Sequence, residues 1–306
     1  MKRNHTNNGT AWAGLGLLTA AGLVYLSFAG NAQGAVENED GSISVTLTGI
    51  IRDFRERSVT GGHTDFERKP SSGFGHYMGN VDLNLDSEGK PVFTGNGYKV
   101  ASQWKDSMGN PIHPSLYDPA EGDIPGAFSS ADPGGISSEL SYSQWFRDVP
   151  GVNSSMPYSI TLVQDSGTGN FVFDDRDDEN FSQIGGFFPI NGQLFGNSSG
   201  NNKNYHFTYE IATEFVHEQG AGHVFTFRGD DDVWVFIDDK QVIDIGGVHG
   251  VVTQTVPIDR LGLVDGQKYS LKFFFAERHR TQSNFRIETT LDLRNGTIPT
   301  TSAMFD

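Results

Sequence analysis

The chain has 306 residues, among them 38 glycines and no cysteine, with 22 Lys and Arg against 38 Asp and Glu. That length holds one large domain with a real core, and the core is not stapled by disulfides. A surface this acidic repels phosphate backbones and argues against nucleic acid as a partner.

The chain opens "MKRNHTNNGTAWAGLGLLTAAGLVYLSFAGNAQGA". Lys2 and Arg3 precede an uncharged run from Ala11 to Ala29, and small residues follow at Gly30, Ala32 and Gly34. This is the layout of a secretory signal peptide over residues 1–34, cleaved after Ala32 or Gly34. The run is also just long enough to span a bilayer, so an uncleaved anchor is the alternative, and the only case in which a membrane is a partner. Without residues 1–34, 20 basic residues face 38 acidic ones, a net charge of −18 that favours solubility and divalent cations. No cysteine stands at the cleavage point, which excludes a lipid-anchored lipoprotein. An exported, cysteine-free protein of this size points to a secreted or cell-surface setting, in a bacterial envelope or outside the cell.

The rest reads as β. "SISVTLTGII" (42–51) alternates apolar with Ser and Thr, the pattern of a half-buried strand. Similar runs follow at 206–211, 223–227, 233–238, 241–245, 251–257, 269–277 and 285–293, separated by Gly, Asn and Asp clusters of turn type. "VWVFIDDKQVIDI" predicts a hairpin turning at Asp239-Lys240. Residues 106–140 are punctuated by proline and glycine and predict a long surface excursion. No stretch after residue 35 sustains a long amphipathic helix. The economical fold is an all-β sandwich with long irregular loops, a single domain over 42–295.

Three consecutive aspartates, Asp230, Asp231 and Asp232, stand directly before the apolar strand "VWVFID". A strand apolar on both faces is buried, so its leading loop is held rigidly, as oxygen ligands of calcium must be. The alternative is a solvated turn. "HEQGAGH" (217–223) is not a zinc motif, because its histidines are six apart rather than four and two glycines intervene. There is no G-x-S-x-G elbow and no cysteine nucleophile, and nothing locates a glycosidase carboxylate pair, so an enzyme is not expected. "DDRDDENF" (174–181) is a second acidic cluster, a solvated loop or a second ion site. "RGD" at 228–230 is short enough to arise by chance.

Seven strings occur in order: "TGIIRDF" (48–54), "HTDFE" (63–67), "QWFRDVPGVN" (144–153), "GFFPINGQLFGN" (186–197), "HFTYEI" (206–211), "FRGDDDVWVFIDDKQVIDIGGVHG" (227–250) and "FFFAERHRTQSNFRIET" (273–289). Together they resemble a fibro-slime domain, whose C-terminal half is similar to the lectin-like β-sandwich of the anthrax protective antigen and of yeast flocculins. The resemblance implies an exported adhesion or matrix protein that holds calcium and, through it, carbohydrate or extracellular polysaccharide. It places the family's cis-linked aspartate pair at Asp230-Asp231 and its later asparagine at Asn284. Asp232 stands where glycine is common and becomes an alternate ligand. His249 in "GGVHG", with Arg278 and His279, is expected to line the ligand's rim. A structural matrix or envelope protein without a small ligand, in which calcium only stiffens the fold, is the other reading.

Overall fold

Period-two runs broken by glycine and Asn/Asp clusters should give short strands joined by tight turns, and they do. The computed structural model describes residues 34–296; the signal segment expected over 1–34 lies, Gly34 apart, outside them. In chain order the strands begin with β1 (Val36–Glu37), β2 (Ile43–Phe54), β3 (Tyr77–Met78), β4 (Tyr98–Ser102) and β5 (Ala127–Ala131). A short helix α1 (Glu139–Ser143) leads to β6 (Asn153–Gln164) and β7 (Phe171–Asp174), followed by α2 (Glu179–Ile184). Then come β8 (Phe207–Val216), β9 (Val224–Asp230), β10 (Asp232–Ile237) and β11 (Lys240–Ile245). The last four are β12 (Val252–Pro257), β13 (Lys268–Glu277), β14 (Asn284–Thr289) and β15 (Arg294–Asn295).

Ten of these pair antiparallel in the order β11-β10-β13-β8-β2-β6-β7-β14-β9-β12, with β1 beside β2 and β15 beside β8. The band folds over on itself. Phe227 of β9 and Phe273 of β13, six places apart in that order, lie 5.5 Å ring to ring, and Phe285 of β14 lies 5.2 Å from Phe275 of β13. Inward side chains of all ten strands share this one core, including Val45, Leu47, Ile160, Phe173, Ile211, Val233, Val235, Val256 and Ile287. The predicted β-sandwich is therefore present.

Three details differ from the sequence reading. β6 was not expected, because Ser154, Ser155 and Pro157 spoil its alternation. It pairs with β7 only at Val163 and Gln164, so over most of its length one edge is free and tolerates the proline. The β10–β11 turn is Asp238-Asp239, not Asp239-Lys240; both residues have positive φ, 53° and 58°, which Asp tolerates well. The run at 285–293 ends as a strand at Thr289.

Residues 106–140 are also more than a surface excursion. They carry β5 and two 3-10 turns, Pro114–Leu116 and Pro119–Glu121, and bury Ile112 and Leu116 in the main core. Ile136 joins a second core on the outer face of β10 and β13. There Trp234, Phe236, Phe274 and Ala276 are covered by Val81, Phe93, Tyr142, Trp145 and Phe146. Trp145 is fully buried, its ring 6.1 Å from that of Trp234. A strand apolar on both faces thus separates two cores, and its ends are held from both sides.

Asp53, at the end of β2, is fully buried and accepts hydrogen bonds from Asn204 Nδ2 (2.8 Å) and the Phe195 N–H (2.7 Å). Burial pushes its carboxyl up to about 7. The folded value lies above the unfolded one, so the stability this group contributes is fully present below the ordinary carboxylate range and lost as pH rises through about 7. Asparagine does not titrate. The stability gap between parent and Asp53→Asn should therefore narrow by up to about 3 kcal/mol between pH 5 and pH 8 in urea denaturation, whatever its size at pH 5. A constant gap would show that Asp53 does not titrate in that window.

Candidate functional site

β9 ends at Asp230 and β10 begins at Asp232, so the aspartate triplet forms the step between two strands in opposite layers of the sandwich. The Asp230–Asp231 peptide is cis, as the resemblance implied. All three aspartates are buried, which rules out a solvated acidic turn. Asp230 and Asp231 line the same open hollow of about 390 Å³, together with Phe74, Val248, His249, Gly250 and residues 279–282.

Each carboxylate has a different set of partners. Asp230 Oδ1 accepts the Asn284 N–H and Oδ2 accepts Asn284 Nδ2, both at 2.8 Å. Asp231 accepts only backbone amides, those of His249 (3.3 Å) and Arg278 (3.4 Å). Asp232 takes the Arg278 guanidinium through Nε and Nη2, and its Oδ1 also accepts the Gly247 N–H. Burial pushes the Asp230 carboxyl up against its bonds to Asn284. Burial, then the Asp232 charge, drives Asp231 well above the usual carboxylate range, with Arg278 opposing.

Two expectations are corrected here. Arg278 does not line a rim: it is fully buried, spans Asp232 and the Gly134 carbonyl, and lies with its guanidinium 5.5 Å from the centre of the Trp145 ring. Asp232 faces the second core with it and does not line the hollow. The cause is strand register. Asp232 pairs with Ala276 of β13, so Arg278, two residues on, emerges on the same outer face. Asn284 does meet the aspartate pair, but as a donor; its Oδ1 accepts Arg176 Nη2 at 3.0 Å. His249 and His279 both line the hollow as expected. Burial lowers the His249 imidazole to about 3, so it is neutral at physiological pH.

Two residues escaped the sequence reading. Phe74 is 47 % exposed at the hollow's edge, and its ring meets His279 edge-on at 4.9 Å. Glu277, the last residue of β13, is fully buried, and its Oε2 has no hydrogen-bond partner. Burial, then the charges of Asp231 and Asp230, push its carboxyl well above the ordinary range. A carboxylate ending an apolar strand was the available signal. The aspartate pair supplies the hard oxygen donors that a calcium ion takes, while among the described residues the acidic and histidine side chains whose ligand atoms lie close enough together to share an ion are Glu56, Glu67 and His206.

The other motifs are spent structurally. In 174–181, Asp175 accepts the Phe285 N–H, Asp178 caps α2 through the amides of Asn180 and Phe181, and Asp174 pairs with Arg286. The RGD tripeptide lies within β9 with Gly229 and Asp230 buried. A larger hollow of about 720 Å³, near Phe93, Leu140 and Arg147, has its arginine committed to Asp86 and Glu88.

Comparison with known proteins bears on this end of the molecule. Residues 190–303 match the PA14 domain. The match lies in the C-terminal half of the sandwich and includes the whole aspartate step and Asn284. The chain is 39% identical over 170 residues to Protein psiQ and 40% identical over 164 residues to Protein psiD, both of Dictyostelium discoideum. These stretches cover 52% and 51% of this chain but 16% and 30% of the relatives, so the chain spans less than a third of the curated proteins it matches. Both relatives are eukaryotic, and they lend no support to the bacterial setting read from the absence of cysteine. The crystallised PA14 domain of the MpAFP antifreeze protein overlaps at a TM-score of 0.22 and 12% identity, covering 30% of this chain and 46% of that one. A beta-glucosidase from Kluyveromyces marxianus overlaps at 0.23 and 15%, covering 29% and 11%. Overlaps this slight do not bear on function. Among the described residues no helix is long and apolar enough to cross a membrane.

Proposed function

We propose that this chain is a secreted or cell-surface adhesion module of the fibro-slime type that binds calcium and, through it, carbohydrate. The observation that carries the reading is that Asp230 and Asp231 share one open hollow at the end of the sandwich. Asp230 and Asp231 would hold the ion, with Asn284 beside them fixing Asp230. A bound calcium would offer its remaining coordination positions to vicinal sugar hydroxyls, since two carboxylates fall short of the 6–8 oxygens it takes. Around it the chain supplies a wall suited to a sugar ring. Phe74 gives an apolar face, His279 and the neutral His249 give polar edges, and Thr281 and Gln282 give further donors and acceptors. Affinity for one sugar would be weak, and many copies on a surface would strengthen it.

One observation favours the second reading, a matrix protein without a small ligand. All four oxygens of Asp230 and Asp231 already accept N–H groups, as they would if the pair only braced the strand ends. Calcium titration by calorimetry separates the two. We expect one site in the parent and loss of about 100-fold or more in affinity in the Asp230→Asn, Asp231→Asn double variant, since both charged ligands are gone. Absence of binding in the parent would reject the calcium reading and leave the bracing role.

A further inference from the structure

Strands β3, β4 and β5 pair in that order as a small sheet apart from the main band. Tyr98 of β4 and Phe128 of β5 join neither core and stand 46% and 44% exposed. One exposed ring needs no explanation, but these two adjoin. Their centres are 5.3 Å apart and their planes lie within 33° of each other. Trp104 braces them: its ring centre is 5.0 Å from that of Phe128, and its half-buried body packs on the main core. Gly126 makes room for it, since a Cβ there would come within 2.3 Å of the indole. The strands that carry the rings are paired, with Tyr98 opposite Ala131 and Val100 opposite Phe128. Short side chains surround them, among them Ala101, Ser102, Ala127, Ser129 and Ser130. Two rings thus stand clear of their neighbours on a rigid backing.

Charge and area narrow what covers them. The chain has 38 acidic residues, yet none falls within 98–105 or 124–131. Of the two lysines there, Lys99 donates to the Ser72 carbonyl at 3.0 Å, and Lys105 lines a separate hollow of about 550 Å³ with His76 and Val252. The rings therefore face an uncharged partner. Two aromatic side chains less than half exposed offer roughly 200 Å². A stable interface with a second copy needs about 800 Å² from each partner. A sugar ring fits both limits. It is uncharged, its C–H groups make a flat apolar face, and its hydroxyls lie around the edge where the serines and water can meet them.

We propose that Tyr98 and Phe128, braced by Trp104, form a second carbohydrate site, which stacks on the C–H faces of an uncharged polysaccharide and needs no calcium. This rests on the carbohydrate half of the proposed function and is independent of its calcium half.

The test is electrophoresis of the full chain in EDTA through gels that contain hydroxyethylcellulose, galactomannan or mixed-linkage β-glucan. Three double variants run beside it: Tyr98→Ala with Phe128→Ala, Tyr98→Leu with Phe128→Leu, and Asp230→Asn with Asp231→Asn. At least one polymer should retard the parent and the aspartate variant alike. Both ring variants should lose about tenfold or more in apparent affinity. Leucine keeps apolar bulk on the strands, so it guards the fold and separates ring stacking from mere hydrophobicity. No retardation of the parent by any of the three polymers, or equal retardation of the parent and the leucine variant, would overturn the proposal. Retardation that requires calcium and is lost in the aspartate variant would overturn it as well, and would leave the calcium site standing. Self-association of the parent in sedimentation equilibrium, abolished in the ring variants, would assign the rings to a second copy and reject the sugar.

Discussion

Arg278→Met should lower the stability of the protein by about 3–5 kcal/mol, measured by urea denaturation at neutral pH. Arg278 is fully buried and its guanidinium serves three groups at once: the Asp232 carboxylate, the Gly134 carbonyl and the face of Trp145. Methionine fills much of the same volume, so the loss is one of charge rather than of packing. Asp232 would be left ionised and buried among Trp234, Tyr142 and their neighbours, or would have to take up a proton. Burial already holds the Asp232 carboxyl above its ordinary value in spite of Arg278. The pair as a whole therefore adds little net stability, while breaking it is expensive. That distinction is testable. Arg278→Met combined with Asp232→Asn should recover most of the loss, because asparagine still accepts the Gly247 N–H and no charge remains buried. A double variant as unstable as the single one would show that the cost lay in lost packing.

Gly229→Ala should cost about 2–3 kcal/mol and remove the proposed calcium binding with it. Alanine in place of glycine within a strand ordinarily stabilises. Here the added Cβ would stand 2.1 Å from the Asn284 carbonyl oxygen and 2.6 Å from the Phe227 ring, and the first of these is backbone. β9 and β14 pair from Asn284↔Asp230 onward, so any shift that relieves the clash parts Asp230 from the residue that holds both of its oxygens. Thermal melting and calcium titration of the same sample report both effects. A small gain in stability with calcium affinity retained would mean that the two strands have room to spare.

Much of the arrangement was legible from residue order. Alternation in β2, β8 and β13 showed which side chains go inward, because a strand's two faces are written in its odd and even positions. The doubly apolar "VWVFI" announced a strand buried on both sides, and its acidic prefix announced a rigidly held site. What escaped was whatever depends on a partner far along the chain. β6 hid behind a proline that is harmless only because one of its edges is free. Arg278 and Glu277 are neighbours in sequence, and nothing in their order tells that Arg278 pairs with Asp232.

By itself the sequence determined an all-β chain with its aspartates at a strand boundary, since periodicity and local turn chemistry depend on adjacent residues alone; the nearness of His249 and His279 was implied by the family resemblance. Only the tertiary structure decided how the charges were shared out. The register of β10 against β13 set Asp232 opposite Ala276, turned Arg278 outward to pair with it, and left the carboxylates of Asp230 and Asp231 facing the hollow without an ion pair among the described residues. Charge compensation acts through space across paired strands, and pairing is a property of the folded sheet.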